Sequence, residues 1–314
     1  MANARLFLLG AALILSSLFF LFWGLSGNTW FIFELRSKKL ITLITVGGAV
    51  SVATILFQTI SANRILTPAI MGFDALYILL QTLLVVVIGG ANWALLPDSI
   101  VFLLTSAIMV GASLLLYQFL LQKDGRHLHV LILVGVIFGL LFRSLTSFIQ
   151  RLIDPSEFAM IQSTMFASFG SVDENSLIIS CIIFLLCTLL VFKYSTFLDV
   201  MALGKQMAVS LGVSYISFQR LTLVVISLLV CISTALVGPI TFLGLLVSAL
   251  TYKIAGSLEH KKLLIISFLL GALFLVIGQT IFERLLRLQS TLSIVIEFFG
   301  GMLFLYLVLR KRFK

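Results

Sequence analysis

The stretch "MALGKQMAVSLGV", residues 201–213, is polar and punctuated by glycine in a chain that is otherwise almost entirely apolar. As a helix from Leu203 it sets Leu203, Met207 and Leu211 at i, i+4 and i+8, which makes one apolar stripe. Lys205, Gln206 and Ser210 face the other way. Gly204 and Gly212 stand at the two ends as natural start and stop points. The segment is too short to span a bilayer. Two readings follow: an interfacial helix resting on lipid, or a docking helix that fits a groove on a partner.

The surroundings of this stretch fix the class. Hydrophobic residues make up 61% of the 314-residue chain and charged residues 11%, with a mean hydropathy of +1.21. A soluble domain carries about 25% charged residues, so this is an integral membrane protein. The apolar runs are each about 20 residues long, which as helix crosses the ~30 Å hydrocarbon layer. No ten-residue alternation of the β-barrel kind is present. Ten spans are expected, at about 5–24, 38–60, 72–90, 100–121, 128–149, 174–194, 216–236, 240–254, 262–281 and 291–309. Leu6 to Trp23 resembles a signal peptide's apolar region, yet it has no clear small-x-small cleavage site and is long enough to span. It is therefore kept as the first helix. Polar breaks such as "ELRSKK" (34–39) and "GSLEHKK" (256–262) separate the spans, and Pro68, Pro97, Pro155 and Pro239 all fall in breaks. The whole chain, 1–314, reads as one transmembrane domain.

Ten spans put both termini on one side, and the tail "RKRFK" marks that side as cytoplasmic. On this model fourteen Lys and Arg residues lie inside and seven outside. The formal charge of +9 is thus mostly topology, with no call for nucleic acid. The opening stretch falls on the cytoplasmic side. Cys181, Cys187 and Cys231 lie within apolar runs without metal-ligand spacing, as small buried hydrophobes do.

"LGKQMAVSLGV" resembles the coupling segment of the permeases in ATP-driven iron-siderophore and vitamin B12 importers, roughly LG-x-x-x-A-x-x-LG. The match falls on Leu203, Gly204, Ala208, Leu211 and Gly212. Further elements follow in the family's order: Gly48, Ala49, Gln58, Asn63 and Pro68 in "GGAVSVATILFQTISANRILTP", then Gly238, Ile240, Phe242, Gly244 and Leu245 in "VGPITFLGL". "FFGGMLFLYLVLRK" is similar to its last helix. The resemblance covers essentially the whole chain and implies an all-α, type II ABC importer permease fold of about ten helices. Two permeases would surround a central path, with two ATPase subunits below and a periplasmic or lipid-anchored binding protein above. Residues 203–212 would be the coupling helix, with Leu203, Gly204, Lys205, Met207, Ala208, Leu211 and Gly212 seated in the ATPase cleft. ATP and Mg would sit on that partner, because this chain has no G-x-x-x-x-G-K-[ST] and is expected to be non-catalytic and to bind no cofactor or metal itself.

The chain departs from many members at "NRIL" (63–66), "SALTYK" (248–253) and "LSIV" (292–295), where N-P-L-A, P-H-x-x-R and L-P-x-G are usual. "NRILTPAIMGFDALYILLQT" (63–82) and "IDPSEF" (153–158) are similar instead to a subgroup handling ferric catecholate-type siderophores beside a second, non-identical permease. Outward cations at Arg36, Lys39, Arg284 and Arg287, with Lys38 beside them, would by analogy meet acidic residues of the binding protein. The plainer alternative is snorkelling, or a local pair such as Glu283 with Arg287. Gln58, in a helix that lines the family's path, and Arg143, near the outer end of the fifth span, are the candidates for a translocation path. A cationic vestibule suits an anionic ferric complex. Helix-to-helix hydrogen bonding is the competing account. Asp74 is expected to cap its helix or to pair with Arg64.

A secondary transporter would show broken helices and central ionisable residues, and the spans appear in sequence nearly free of central charge. A membrane enzyme needs a catalytic constellation. His127, His129 and His260 fall in inner breaks without a cluster. The importer permease is the reading that the sequence favours.

Overall fold

The computed structural model describes residues 2–24, 28–93, 95–121, 128–170, 172–285 and 292–312. Among them the chain is helical, with no strand. In order run α1 (Ala2–Phe22), α2 (Thr29–Ser61), α3 (Phe73–Ile88), α4 (Gly90–Trp93), α5 (Asp98–Leu121), α6 (Leu128–Gln150) and α7 (Pro155–Thr164). Then come α8 (Glu174–Lys193), α9 (Ser195–Met201), α10 (Lys205–Ser210), α11 (Tyr215–Val237), α12 (Leu243–Ala255), α13 (His260–Thr280) and α14 (Leu292–Arg312). Each of the ten expected spans falls on one of these helices. Among the described residues, α1, α2, α5, α6, α8, α11 and α13 are individually long and apolar enough to cross a membrane.

Helix α2 is the centre of the bundle, packed against α13, α11, α12, α1 and α8. Leu43, Ala53, Ile55 and Phe57 of α2 meet Leu223, Ile226 and Leu229 of α11 and Leu264 and Leu275 of α13, all essentially fully buried. Lipid chains are as apolar as leucine, so dispersion and close backbone approach hold such helices together. Gly47 and Gly271 provide that approach, since a Cβ on Gly47 would stand 2.5 Å from the Gly271 carbonyl oxygen. Large apolar residues turned outward, among them Phe7, Leu15, Leu140, Phe148 and Leu189, form the lipid face.

Helix α2 begins earlier than expected. "ELRSKK" is not a loop but part of a 33-residue helix, about 50 Å long at 1.5 Å per residue. Its charges are satisfied within the bundle. Lys38 Nζ lies 3.0 Å from Glu34 and 2.8 Å from Glu174 of α8. Lys39 is paired with Glu283, and Arg36 is spent on the end of α1. Helices α7 and α9 were likewise not expected.

Two spans are shorter than expected, and for one reason. At about 1.5 Å per residue, α3 covers roughly 24 Å and α12 roughly 20 Å, less than the ~30 Å hydrocarbon layer. Each is preceded by non-helical chain, 62–67 with a tight turn at Pro68–Met71, and 238–242. Pro68 and Pro239 lack the N–H that a continued helix requires. Thr67, Pro68, Gly238, Pro239 and Ile240 are buried, which is where irregular backbone at membrane depth is tolerated. Gly72 faces Gly139, in the middle of α6, so α3 begins half-way through the bundle.

Candidate functional site

The amphipathic segment is a six-residue helix, α10, shorter than the 203–212 expected. It follows α9, whose Ser195, Leu198 and Met201 are buried against the bundle. Gly204 has φ 93° and Gly212 φ 82°, with open space around each Cβ position. Glycine is required there by backbone conformation and not by crowding. The Ala208 N–H donates to the Gly204 carbonyl (3.0 Å) and the Val213 N–H to the Ala208 carbonyl (3.0 Å), closing the short turn. Ring contacts among Tyr194, Phe197 and Phe218, with centroids 5.5–5.9 Å apart, brace α9 between the end of α8 and the start of α11.

Leu203, Met207 and Leu211 are 58%, 58% and 61% exposed, and Val209 is 55% exposed beside them. Lys205 and Gln206 are also exposed. The apolar stripe thus turns away from the protein's own core. Ala208 does the opposite: it is fully buried and seats α10 on the bundle. Of the residues expected to contact a partner, Ala208 is therefore an anchor.

A second polar region lies where α3 and α12 begin. The Thr241 hydroxyl donates to Asp74 Oδ2 (2.9 Å), with Asp74 buried. Arg143 of α6 and Glu297 of α14 lie within electrostatic reach of that carboxyl. Arg143, Thr67, Gly72 and Thr241 line a cavity of about 280 Å³. A neighbouring cavity of about 20 Å³, the size of a single water, is lined by Asp74, Thr54, Ser233 and Thr234. The expectation of spans nearly free of central charge fails here. Asp74, Arg143 and Glu297 lie on three different helices, and only their packing gathers them. Arg64 does not pair with Asp74 either; its guanidinium lies 4.5 Å over the Tyr252 ring.

Gln58 is 2% exposed. Its Nε2 donates to Ser248 Oγ (2.9 Å) and to the Arg64 carbonyl (2.7 Å), tying α2 to α12. Within this chain it is a helix-to-helix bond, as the competing account held, and Arg143 is the expected path residue that does line a cavity.

The outward cations among the described side chains are also occupied. Arg36, 6% exposed, donates to the carbonyls of Leu21 (2.8 Å), Trp23 (2.9 Å) and Gly24 (3.1 Å). It caps the C-terminal end of α1, which leaves its guanidinium unavailable as an exposed docking group. Lys39 bonds Glu283, which also accepts from Gln279 Nε2 (2.7 Å). The backbone of Arg284 lies in the π turn Ile281–Leu285; its side chain, and all of Arg287, lie outside the described residues. At the opposite end of the bundle Arg5 donates to the Ile254 carbonyl (2.8 Å), finishing α12 as Arg36 finishes α1.

Sequence reading missed one cluster altogether. His260, placed in a break, is the first residue of α13 and is 2% exposed. Its backbone N–H donates to Asp199 Oδ1 (2.8 Å), and its Nδ1 lies 2.7 Å from the same oxygen. Its Nε2 lies 2.8 Å from the Thr59 hydroxyl oxygen, which also stands 2.8 Å from the Ile55 carbonyl. Nothing in the spacing of residues 59, 199 and 260 announces this contact.

The model of the FecCD transport family matches residues 5–310. The chain belongs to that family. This FecCD permease is 42% identical over 304 residues to the petrobactin import system permease protein YclO of Bacillus subtilis, covering 97% of the chain and 96% of that relative. It is 35% identical over 277 residues to the petrobactin import system permease protein FatC of Bacillus anthracis, covering 88% and 78%. A metal-chelate type ABC transporter solved in an inward-facing conformation shares the fold, with a TM-score of 0.85 at 24% identity over 98% of this chain and 99% of that one. The FecCD chain is thus a multi-pass, type II ABC importer permease. Such a permease works with an ATPase and a substrate-binding subunit.

Proposed function

We propose that this chain is one permease subunit of an ATP-driven importer that carries a ferric siderophore of the catecholate class across the bacterial cytoplasmic membrane. The observation that carries the mechanism is α10. Its apolar stripe, Leu203, Met207 and Leu211, is exposed beside Lys205 on a segment whose two ends turn at Gly204 and Gly212. A partner groove would bury that stripe. On this proposal α9 and α10 lie on the cytoplasmic side with both termini, and α10 seats in a cleft of an ATPase subunit that holds ATP and Mg. Closure of two such subunits rocks the spans between outward and inward states. A second, non-identical permease completes the path, and a periplasmic or lipid-anchored binding protein delivers the chelate. This chain contributes no hydrolytic residue and no cofactor.

The substrate class rests on the two petrobactin import relatives. The cavity beside Arg143 supports it, since a guanidinium favours an anionic chelate. The test is radioiron uptake by iron-starved cells lacking this gene, with and without complementation, across catecholate, hydroxamate and haem iron and labelled cobalamin. Complementation-dependent uptake confined to catecholate complexes is the expected result. Uptake of another of these cargoes would retain the importer and replace the substrate, whereas dependence on none would overturn the proposal.

A further inference from the structure

The cluster at Asp199, His260 and Thr59 lies between the exposed segment and the core of the bundle. Asp199 is on α9, one connection before α10. His260 opens α13, and Thr59 lies near the end of α2. An ionised carboxylate only accepts hydrogen bonds, so Asp199 Oδ1 receives both the backbone N–H and the ring Nδ1–H of His260. The imidazole passes the connection to the Thr59 hydroxyl through Nε2. One side chain of α9 is thereby joined to the ends of two spans.

Those two spans are packed as a pair. α2 and α13 touch backbone to backbone at Gly47 and Gly271. At their far ends Lys39 of α2 pairs with Glu283, in the π turn that follows α13, and Gln279 of α13 donates to the same carboxylate. Well-packed elements of this kind shift between discrete arrangements and do not deform continuously. A displacement of α10 reaches α9 through a three-residue connection. From α9 it reaches the spans through the apolar contacts of Leu198 and Met201 and through this cluster of directional bonds. Apolar contacts slide easily, but a charge-assisted hydrogen bond fixes both distance and direction.

Resting on the importer proposal above, we infer that Asp199, His260 and Thr59 are positioning residues that latch the coupling segment to the α2–α13 pair, so that ATPase closure is converted into movement of the spans. The latch touches neither nucleotide nor cargo. Its loss should therefore separate ATP consumption from transport and leave assembly alone.

The test uses the complete complex, with both permeases, the ATPase subunits and the binding protein, in proteoliposomes loaded with ATP. Chelate uptake and phosphate release are measured together. The unaltered complex comes first. If it neither transports nor associates with ATPase subunits, the importer proposal fails and this inference with it. Given an active complex, Asp199→Ala should raise the ATP consumed per chelate about tenfold, the scale of losing one charge-assisted hydrogen bond between two states. The amount of co-purified ATPase subunit should not change. Asp199→Asn keeps an acceptor for both His260 donors and should recover most of the coupling, which a general packing defect would not predict. Should Asp199→Ala fail to assemble, Thr59→Val breaks only the Thr59 arm at similar volume, and it should raise the ratio in the same direction. An unchanged ratio in the variants that assemble, or uptake and hydrolysis falling in proportion, overturns the latch while the importer stands.

Discussion

Gly47 of α2 and Gly271 of α13 meet backbone to backbone, each occupying the space where the other's Cβ would stand. The contact sits between the two most intimately packed spans and lets their axes approach more closely than any side chain would allow. Gly271→Val should therefore separate the helices. Overpacking of this kind costs about 1–3 kcal/mol, so the thermal midpoint of the purified protein in detergent should fall by several degrees. Gly111→Ala, on α5 with open space around its Cβ position, is the matched control and should leave the midpoint unchanged or slightly raised. A midpoint unmoved by Gly271→Val would show that the close approach is not needed.

Arg36 makes a separate prediction, because its three carbonyl partners all belong to the end of α1. Arg36→Ala removes a buried, charge-assisted cap and should destabilise the protein by about 2–3 kcal/mol. The salt dependence of binding-protein association should stay as it is in the unaltered protein. A variant of normal stability with weakened, salt-shifted association would return Arg36 to the docking role that the sequence suggested.

For Lys39 and Glu283, a double-mutant cycle is decisive. Both are largely buried, with side-chain exposures of 14% and 26%. Removing either leaves the other without its opposite charge, and the coupling energy should be about 1–2 kcal/mol. The exchanged pair, Lys39→Glu with Glu283→Lys, should recover part of the loss in thermal midpoint. Additive single effects would mean that the pair contributes nothing as a pair.

At the coupling segment, conformation and contact can be separated. Gly204→Pro demands φ near −65° where the chain holds 93°. It should abolish uptake while membrane insertion remains intact. Leu211→Asp leaves the backbone free but places a charge on the exposed stripe, and it should abolish uptake by preventing capture of the ATPase subunit. Co-purification from membranes measures both. Undiminished uptake in either variant would remove α10 from the mechanism.

Arg143 should behave in the opposite way to Arg36. It is exposed in this chain and lines the larger cavity. Arg143→Ala should leave the thermal midpoint unchanged and raise the KM for an anionic ferric chelate about tenfold, the equivalent of ~1.4 kcal/mol. Uptake kinetics at fixed binding-protein concentration would show this. Equal KM values would assign Arg143 to packing or to lipid.

Much of this was legible in the order of residues. Ten apolar runs gave ten helices, and the glycines at 204 and 212 marked a short helix whose apolar stripe does face outward. What misled was local charge. "ELRSKK" reads as a loop because four of its six residues are ionisable, yet each of the four has a partner on a neighbouring turn or helix. Asp74, Arg143 and Glu297 each appear as isolated polar residues in apolar surroundings, and only the packing of α3, α6 and α14 brings Arg143 and Glu297 within electrostatic reach of Asp74. Gln58, Ser248 and His260 likewise have no sequence neighbours that reveal their bonds.

The sequence by itself determined that the chain is a membrane-spanning helical bundle with one short amphipathic element outside its spans. The reason is local: in hydrocarbon every backbone N–H and carbonyl must be satisfied within its own segment, so hydropathy and glycine placement suffice to read it. The tertiary structure alone decided which charges are available and which are spent. Lys39 and Glu283 are 244 positions apart and Thr59 and His260 are 201 apart. A polar group buried in low dielectric must find a partner wherever the packing places one, and that location is a property of the folded bundle.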